Sequence, residues 1–299
     1  MSDQHGPPER DTGLPQIGRY APGPDHLGFA AEEIDTSRPH PARMYDYFLD
    51  GWDNYEVDRV AADRVLELRP RVRDSARANG AFRRRAVRAV AAAGIRQFLV
   101  LSVGIPTSPN AHEVARETAP ETRVVYVDSD PIVATHARAR LANTPGTAFA
   151  LGDIRDPGAI LADPAVRELI DFDRPVGILV GGLDFVADED QPAELLAALG
   201  AAVPAGSHLI LSQSTCEPYE GYPQGRVDET ARACIEEVYK SATAQLVLRT
   251  KAEIAALLGP FTALEPGVVR VPLWRPDEPV PGPEELNTIV FYGVVGRKG

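Results

Sequence analysis

The apolar positions of the chain change their period near residue 97. Before that point, "ARMYDYFLDGWDNYEVDRVAADRVLEL" sets Met44, Tyr47, Phe48 and then Val57, Val60, Ala61, Val65 and Leu66 at helical spacings, with "DGWDN" between them as a turn. "RPRVRDSARANGAFRRRAVRAVAAAG" continues as helix and stops at Gly94, a residue suited to a C-terminal cap. From Gln97 the text alternates. "QFLVLSV" reads as a first strand, and "SPNAHEVARETA" as a helix with Ser108 at its N-cap. "RVVYVDSD" is a second strand, and "PIVATHARARLAN" a helix with Pro131 in its first turn. "TAFALGD" is a third strand, followed by a short helical stretch to Ile170, and "PVGILVGGLDF" a fourth. "QPAELLAALGAAV" is a helix and "SHLILSQST" a fifth strand. Residues 228–243 and 250–258 read as helical, and "VVRVPLW" and "NTIVFYGVVGR" as two late strands joined by a Pro-rich loop.

Five strand–helix units in succession imply a parallel sheet wrapped by helices on both faces, with right-handed crossovers. The two late strands have no helix between them, so they are expected to pair antiparallel at one edge. The expected fold is therefore α/β: a doubly wound, mostly parallel seven-stranded sheet with an antiparallel edge and an N-terminal helical leader. Residues 1–34, rich in Pro, Gly and charge, read as a tail that is mobile unless it docks. Residues 35–95 form the leader or lid, and 96–299 a Rossmann-like domain.

Composition narrows the class of function. Hydrophobic residues are 44% and charged residues 25% of 299, which is ordinary for a globular protein. A net charge of −12 argues against a nucleic-acid partner held by bulk electrostatics. No apolar run reaches the ~18 residues that span a bilayer, and the N-terminus lacks the apolar core of a signal peptide. Cys216 and Cys234 make neither a disulfide framework nor a zinc quartet, and His112 with Glu113 lacks the spacing of a zinc-binding helix. The expectation is a cytoplasmic protein without metal, with a small-molecule partner and no membrane or nucleic acid.

Doubly wound sheets bind ligands beyond the carboxyl ends of their strands, where the winding reverses. Gly104, in "FLVLSVGIPTSP", marks the loop of closest approach after the first strand. Asp128 follows 24 positions later at the end of "VVYVD", the spacing at which a carboxylate accepts hydrogen bonds from ribose hydroxyls. Asp153, in "LGDIRD", ends the third strand, where a carboxylate can meet an adenine amino group. Either acid alone reads equally well as a strand-end cap. Together, on successive strand ends, they indicate a nucleoside-bearing pocket. Gly181 and Gly182 leave room at the fourth strand for a ligand or backbone.

"RQFLVLSVGIPTSPNAHEVA", "RVVYVDSDPIV", "GDIRDP", "DFDRPVGILV" and "VPLWRPD", with "PHPARMYDYFLDGWDNYEVDR" upstream, resemble an actinobacterial group of S-adenosylmethionine-dependent methyltransferase-like proteins over residues 36–298. The resemblance implies a class I methyltransferase fold with S-adenosylmethionine as cofactor. Asp128 with Ser129 would hold the ribose, and Asp153 with Ile154 the adenine. Ser102, Gly104, Pro106, Thr107 and Gly181 would cradle the methionine end, Arg43 would meet its carboxylate, and the leader would close over it. Asp184 and Tyr45 become the candidate catalytic residues, with Asp46, Tyr47 and Gln213 as further candidates for handling substrate. Tyr45 and Tyr47 stand two apart, so one helix cannot aim both at one site. Tyr219 and Tyr222, after the fifth strand, read equally as an acceptor wall or a surface loop. The arginines from Arg69 to Arg88 read as a solvated face paired with carboxylates, and His208 lies at the wrong end of its strand for a ligand.

The chain also departs from the group. An acid and the first glycine of the loop are replaced by Val100 and Ser102, with Val103 adding bulk, and a histidine of the fourth-strand segment is Asp184. Asp50 and Trp52 replace commoner residues of the leader's turn. Two readings follow. One is a small-molecule methyltransferase, with a secondary metabolite as acceptor. The other is a methyltransferase fold that has dropped methyl transfer, either catalysing cyclisation or isomerisation with Asp184 as acid or base, or binding without catalysis.

Overall fold

The computed structural model describes residues 35–141 and 144–299, so the expected mobile tail lies outside the described residues. Three helices lead: α1 (Pro41–Phe48), α2 (Glu56–Leu68) and α3 (Val72–Ala92). The alternating part runs β1 (Gln97–Leu101), α4 (Ala111–Arg116), β2 (Arg123–Asp128), α5 (Pro131–Leu141), β3 (Thr147–Leu151), α6 (Pro157–Ala162), α7 (Pro164–Leu169), β4 (Gly177–Val180), α8 (Pro192–Ala201) and β5 (His208–Ser214). It closes with α9 (Glu229–Lys240), α10 (Lys251–Ala256), β6 (Phe261–Ala263), β7 (Val269–Arg270), α11 (Pro283–Thr288) and β8 (Phe291–Lys298).

The strands form one sheet in the order β3-β2-β1-β4-β5-β8-β6, with β7 also paired to β8. The first five are mutually parallel, and β8 runs antiparallel to β5, β6 and β7. Central strands are covered on both faces, which is why they read as continuous apolar runs rather than alternating ones. Successive residues still point to opposite faces. Leu99, Val125, Ile178 and Leu209 join the core under α8, while Phe98, Val124, Leu179 and Ile210 join the core under α3.

The sheet has eight strands rather than the expected seven. β6 is three residues long and follows Pro260, too short to show a period. Of "VVRVPLW", only Val269 and Arg270 pair with β8, at Gly293 and Tyr292. Residues 271–273 turn into a 3-10 helix at Pro272, which has no N–H for a ladder. The N-cap of α4 is Asn110 and not Ser108. The backbone N–H of Asn110 donates to Glu113, and the Ser108 hydroxyl also donates to that carboxylate. Gly94, at φ +100°, stands just beyond the end of α3 as expected.

The leader divides between two cores. α3 lies on the sheet, with Phe82 edge-on to Trp274 at 5.6 Å. α1 and α2 pack with α9 in a separate cluster of Met44, Phe48, Ala62, Val65, Ile235 and Tyr239. A buried ion pair ties the first two helices, with Arg43 Nε donating to Asp58 Oδ2 at 2.9 Å. These contacts carry α1 to the carboxyl ends of the parallel strands.

Candidate active site

A cavity of about 740 Å³ opens there. Its walls are the strand-end loops after β1, β2, β3, β4 and β5, together with α1, one face of α3, and α9. The volume falls within the range of small-molecule sites.

The loop after β1 and the end of β2 are joined directly. Gly104 N–H donates to Asp128 Oδ2 at 2.9 Å, and Asp130 N–H donates to Asp128 Oδ1 at 3.0 Å. Gly104 takes φ +66°, a conformation that glycine adopts without penalty. A carboxylate offers about four lone-pair directions, so two remain for a ligand's hydroxyls. Burial pushes the Asp128 carboxyl up, against the two backbone donors and nearby His40. His40 Nδ1 lies 2.9 Å from Asp130 Oδ2 and 3.2 Å from Ala42 N; one ring nitrogen serves only one of them, and Asp130 is the nearer. Asp153 also faces the cavity, but Arg155 grips its carboxylate through Nε at 3.0 Å. Burial raises the Asp153 carboxyl, and the bonds from Arg155 outweigh that and lower it.

Beyond β4, Asp184 is buried and lines the same cavity. Ser214 donates to its Oδ1 through both N–H and hydroxyl, each at 2.5 Å. Oδ2 takes no hydrogen bond from any described residue. Burial raises the Asp184 carboxyl, opposed by Ser214, Arg83 and Arg249. Arg249 braces the turn that carries Asp184, donating to the carbonyls of Leu183 and Val186 at 3.0 and 2.8 Å and to Asp188 at 2.8 Å. Tyr45 lines the cavity from α1, where its hydroxyl donates to the Ala76 carbonyl at 3.1 Å and accepts from Asn79 Nδ2 at 3.2 Å. Burial raises the Tyr45 phenol, so it stays protonated.

Ser102, Gly104, Asp128, Ser129, Asp153, Ile154, Asp184 and Tyr45 are thus brought together. Four other candidates stand outside the cavity wall. Arg43 is only 1% exposed, and its guanidinium is spent on Asp58 and the carbonyls of Asp35 and Arg38. The Pro106 carbonyl accepts from Arg140, and Thr107 is exposed with its hydroxyl on Ile105 O at 3.3 Å. Gly181 donates to Leu101 O at 2.8 Å and packs beneath the loop, where a Cβ would fall 2.6 Å from Ser102 O. Asp46, Tyr47 and Gln213 are also committed elsewhere. Asp46 accepts from Asp53 N–H and Asn54, Tyr47 reaches Asp63, and Gln213 bonds Val247 O and Arg249. In the loop after β5, Thr215, Cys216, Glu217, Pro218 and Arg226 reach the cavity, and Tyr219 and Tyr222 do not.

The S-adenosyl methyltransferase family model matches residues 28–299. The chain belongs to that family. A DUF574 family protein from Streptomyces avermitilis is 40% identical, with a TM-score of 0.81 over 89% of this chain and 100% of its own. A methyltransferase candidate from Thermobifida fusca is 39% identical, with a TM-score of 0.79 over 93% of this chain and 99% of its own. No curated protein matches the chain significantly. The family's chemistry is methyl transfer dependent on S-adenosylmethionine, and the sheet order and the acid at the end of β2 fit it.

Within this member of the family, the altered loop has a physical account. Val100 is 3% exposed and belongs to the apolar core under α3, so its position has become core. Ser102 holds φ +50°, a left-handed conformation that costs a non-glycine residue about 1–2 kcal/mol. Ser102→Gly is therefore expected to stabilise the fold by up to about 1 kcal/mol, after the extra freedom of glycine in the unfolded chain is subtracted. Urea denaturation checks this, and a net loss of stability would refute it. Asn79 and Arg83, like Ser214 and Arg249, were not singled out in the sequence, where Arg83 read only as part of a solvated arginine face. A signal existed for the first two: Val72, Ala76, Asn79 and Arg83 share one helical face, and all four line the cavity.

Proposed function

We propose that this chain transfers the methyl group of S-adenosylmethionine to a small acceptor held against Asp184. The observation that carries this is the hydrogen bond from Gly104 N–H to Asp128, which locks the β1 loop to the β2 acid at the mouth of a cavity of small-molecule size. The residues present fit the cofactor. Asp128 keeps acceptor capacity for ribose hydroxyls, the apolar Ile154 stands beside Asp153 for the base, and the 102–104 loop lies between them and β4.

The bound cofactor supplies an electrophilic methyl on a sulfonium. The protein's contribution is then alignment, exclusion of water and proton handling. Phe48, Phe185, Ile235, Tyr239 and Leu246 give the far side of the cavity an apolar wall that suits an acceptor's carbon skeleton. Asp184, anchored at Oδ1 and open at Oδ2, takes the proton of an acceptor hydroxyl or amine. Burial makes its carboxylate a stronger base. Tyr45, kept protonated, orients the acceptor without exchanging protons.

Calorimetric titration with S-adenosylmethionine and S-adenosylhomocysteine tests the reading. The expected result is micromolar binding that Asp128→Ala weakens about 10- to 100-fold, the cost of removing a charged hydrogen-bond acceptor. Absence of heat at millimolar ligand would overturn it and favour a fold that no longer methylates.

A further inference from the structure

A cofactor of this class ends in a carboxylate and an ammonium, and a cavity that takes both out of water must supply a cation and an acceptor. Arg83 supplies a cation. Five arginines around it are engaged: Arg71 and Arg77 with Asp74, Arg73 with Asp50, Arg88 with Glu117, and Arg85 with the carbonyls of Val271 and Trp274. Arg83 is half-buried and has no carboxylate within 4.0 Å among the described residues. Its one side-chain hydrogen bond among the described residues is a long one, from Nε to Ser212 Oγ at 3.4 Å. The sheet makes space for it. Leu101 pairs with Val180 and Val180 with Leu211, so Ser102, Gly181 and Ser212 form the next row, all small. A Cβ at Gly181 would stand 3.2 Å from Arg83 Nη2, so the guanidinium lies over that row.

Asn79 supplies the acceptor, one turn earlier on the same face of α3. It is fully buried, its Nδ2 donates to the Tyr45 hydroxyl, and its Oδ1 has no partner among the described residues. A buried carbonyl oxygen without a donor is costly, and an ammonium is the donor it lacks. The strand order sets the direction. A nucleoside held at β2 and β3 sends its 5′ substituent across β1 toward β4, under the α3 face that bears both residues.

Resting on the cofactor reading above, we propose that Asn79 and Arg83 form an α-amino-acid clamp, with Arg83 on the carboxylate and the Asn79 carbonyl on the ammonium. Asp184 is the other charged group near Arg83, so Arg83 acting only as its counter-charge is the alternative to separate.

The test compares S-adenosylhomocysteine with 5′-methylthioadenosine, which lacks the amino-acid end, by calorimetry on the full chain. Arg83→Met and Asn79→Ala are each expected to weaken S-adenosylhomocysteine about 10- to 100-fold while changing methylthioadenosine less than about threefold, because only the former offers charged partners. Arg83→Lys keeps the charge without the fork and is expected to lose less than Arg83→Met, and it serves if the methionine variant fails to fold. Equal losses for both ligands, or no loss for S-adenosylhomocysteine, would overturn the clamp. A wild-type chain that binds methylthioadenosine but not S-adenosylhomocysteine would overturn the clamp and, if S-adenosylmethionine is also unbound, the cofactor reading; equal losses in a chain that binds S-adenosylhomocysteine overturn the clamp alone. Binding of neither would overturn the cofactor reading and the clamp with it.

Discussion

Asp58→Ala is expected to cost about 3–5 kcal/mol of stability, the penalty for leaving a buried charge without its partner. Asp58 is fully buried and accepts four hydrogen bonds. Two come from Arg43 Nε at 2.9 and 3.1 Å, and two from the backbone N–H groups of His40 and Tyr55, each at 2.9 Å. The His40 bond fixes the entry to α1, and the Tyr55 bond fixes the start of α2. Alanine would strand the Arg43 guanidinium and two backbone donors at once. Arg43→Ala should cost less, because Asp58 would keep its two backbone donors. The double variant should cost less than the sum of the singles, since the two side chains share one interaction. Chemical denaturation gives these values, and a loss below about 1 kcal/mol for Asp58→Ala would refute the account. Cofactor affinity should fall with stability in Asp58→Ala, because α1 carries His40, Ala42 and Tyr45 to the cavity.

The same pair shows where sequence reading reaches its limit. Strand–helix alternation was legible because a parallel strand covered on both faces has a continuous apolar run at its centre, as Phe98–Leu101 in β1 and Leu209–Leu211 in β5 do. Asp128 was legible because an acid ending such a run has few other places to stand. Arg43 misled because a charge on an amphipathic helix looks solvent- or ligand-facing until its partner, fifteen residues away on α2, is known. Arg83 hid for the opposite reason. It sits in a run of arginines most of which pair with carboxylates or backbone carbonyls, and only the turn of α3 against the sheet separates the one that lines the cavity. Ser108 and Asn110 are both competent caps, and the choice between them lies in where Glu113 reaches back. β6 left no trace because three residues cannot show a period.

Asp184→Asn separates the two roles that burial gives this residue. As proton acceptor, Asp184 should be needed for turnover, so the variant is expected to lose about 10²- to 10⁴-fold in kcat, the usual share of a positioned base. The readout is S-adenosylhomocysteine release with any acceptor found to support it. Affinity for S-adenosylhomocysteine should be unchanged, because the bonds from Ser214 can still end on an amide oxygen. The fold should respond in the other direction. Burial raises the Asp184 carboxyl above its ordinary 3.8, so the folded chain holds this proton more tightly than the unfolded chain. The stability it contributes is therefore complete below the unfolded value and is lost as pH climbs through the raised folded value. Asparagine carries no such charge. The stability of Asp184→Asn minus that of the wild type should then increase from pH 4 upward and level off once the folded carboxyl has ionised, as denaturation at stepped pH would show. A variant that is less active but shows no such rise would mean that Asp184 is stabilised in its ionised form, with Arg83 and Arg249 outweighing burial. The residue would then serve the acceptor as a fixed negative charge, suited to a cationic or strongly polarised group, and not as a base.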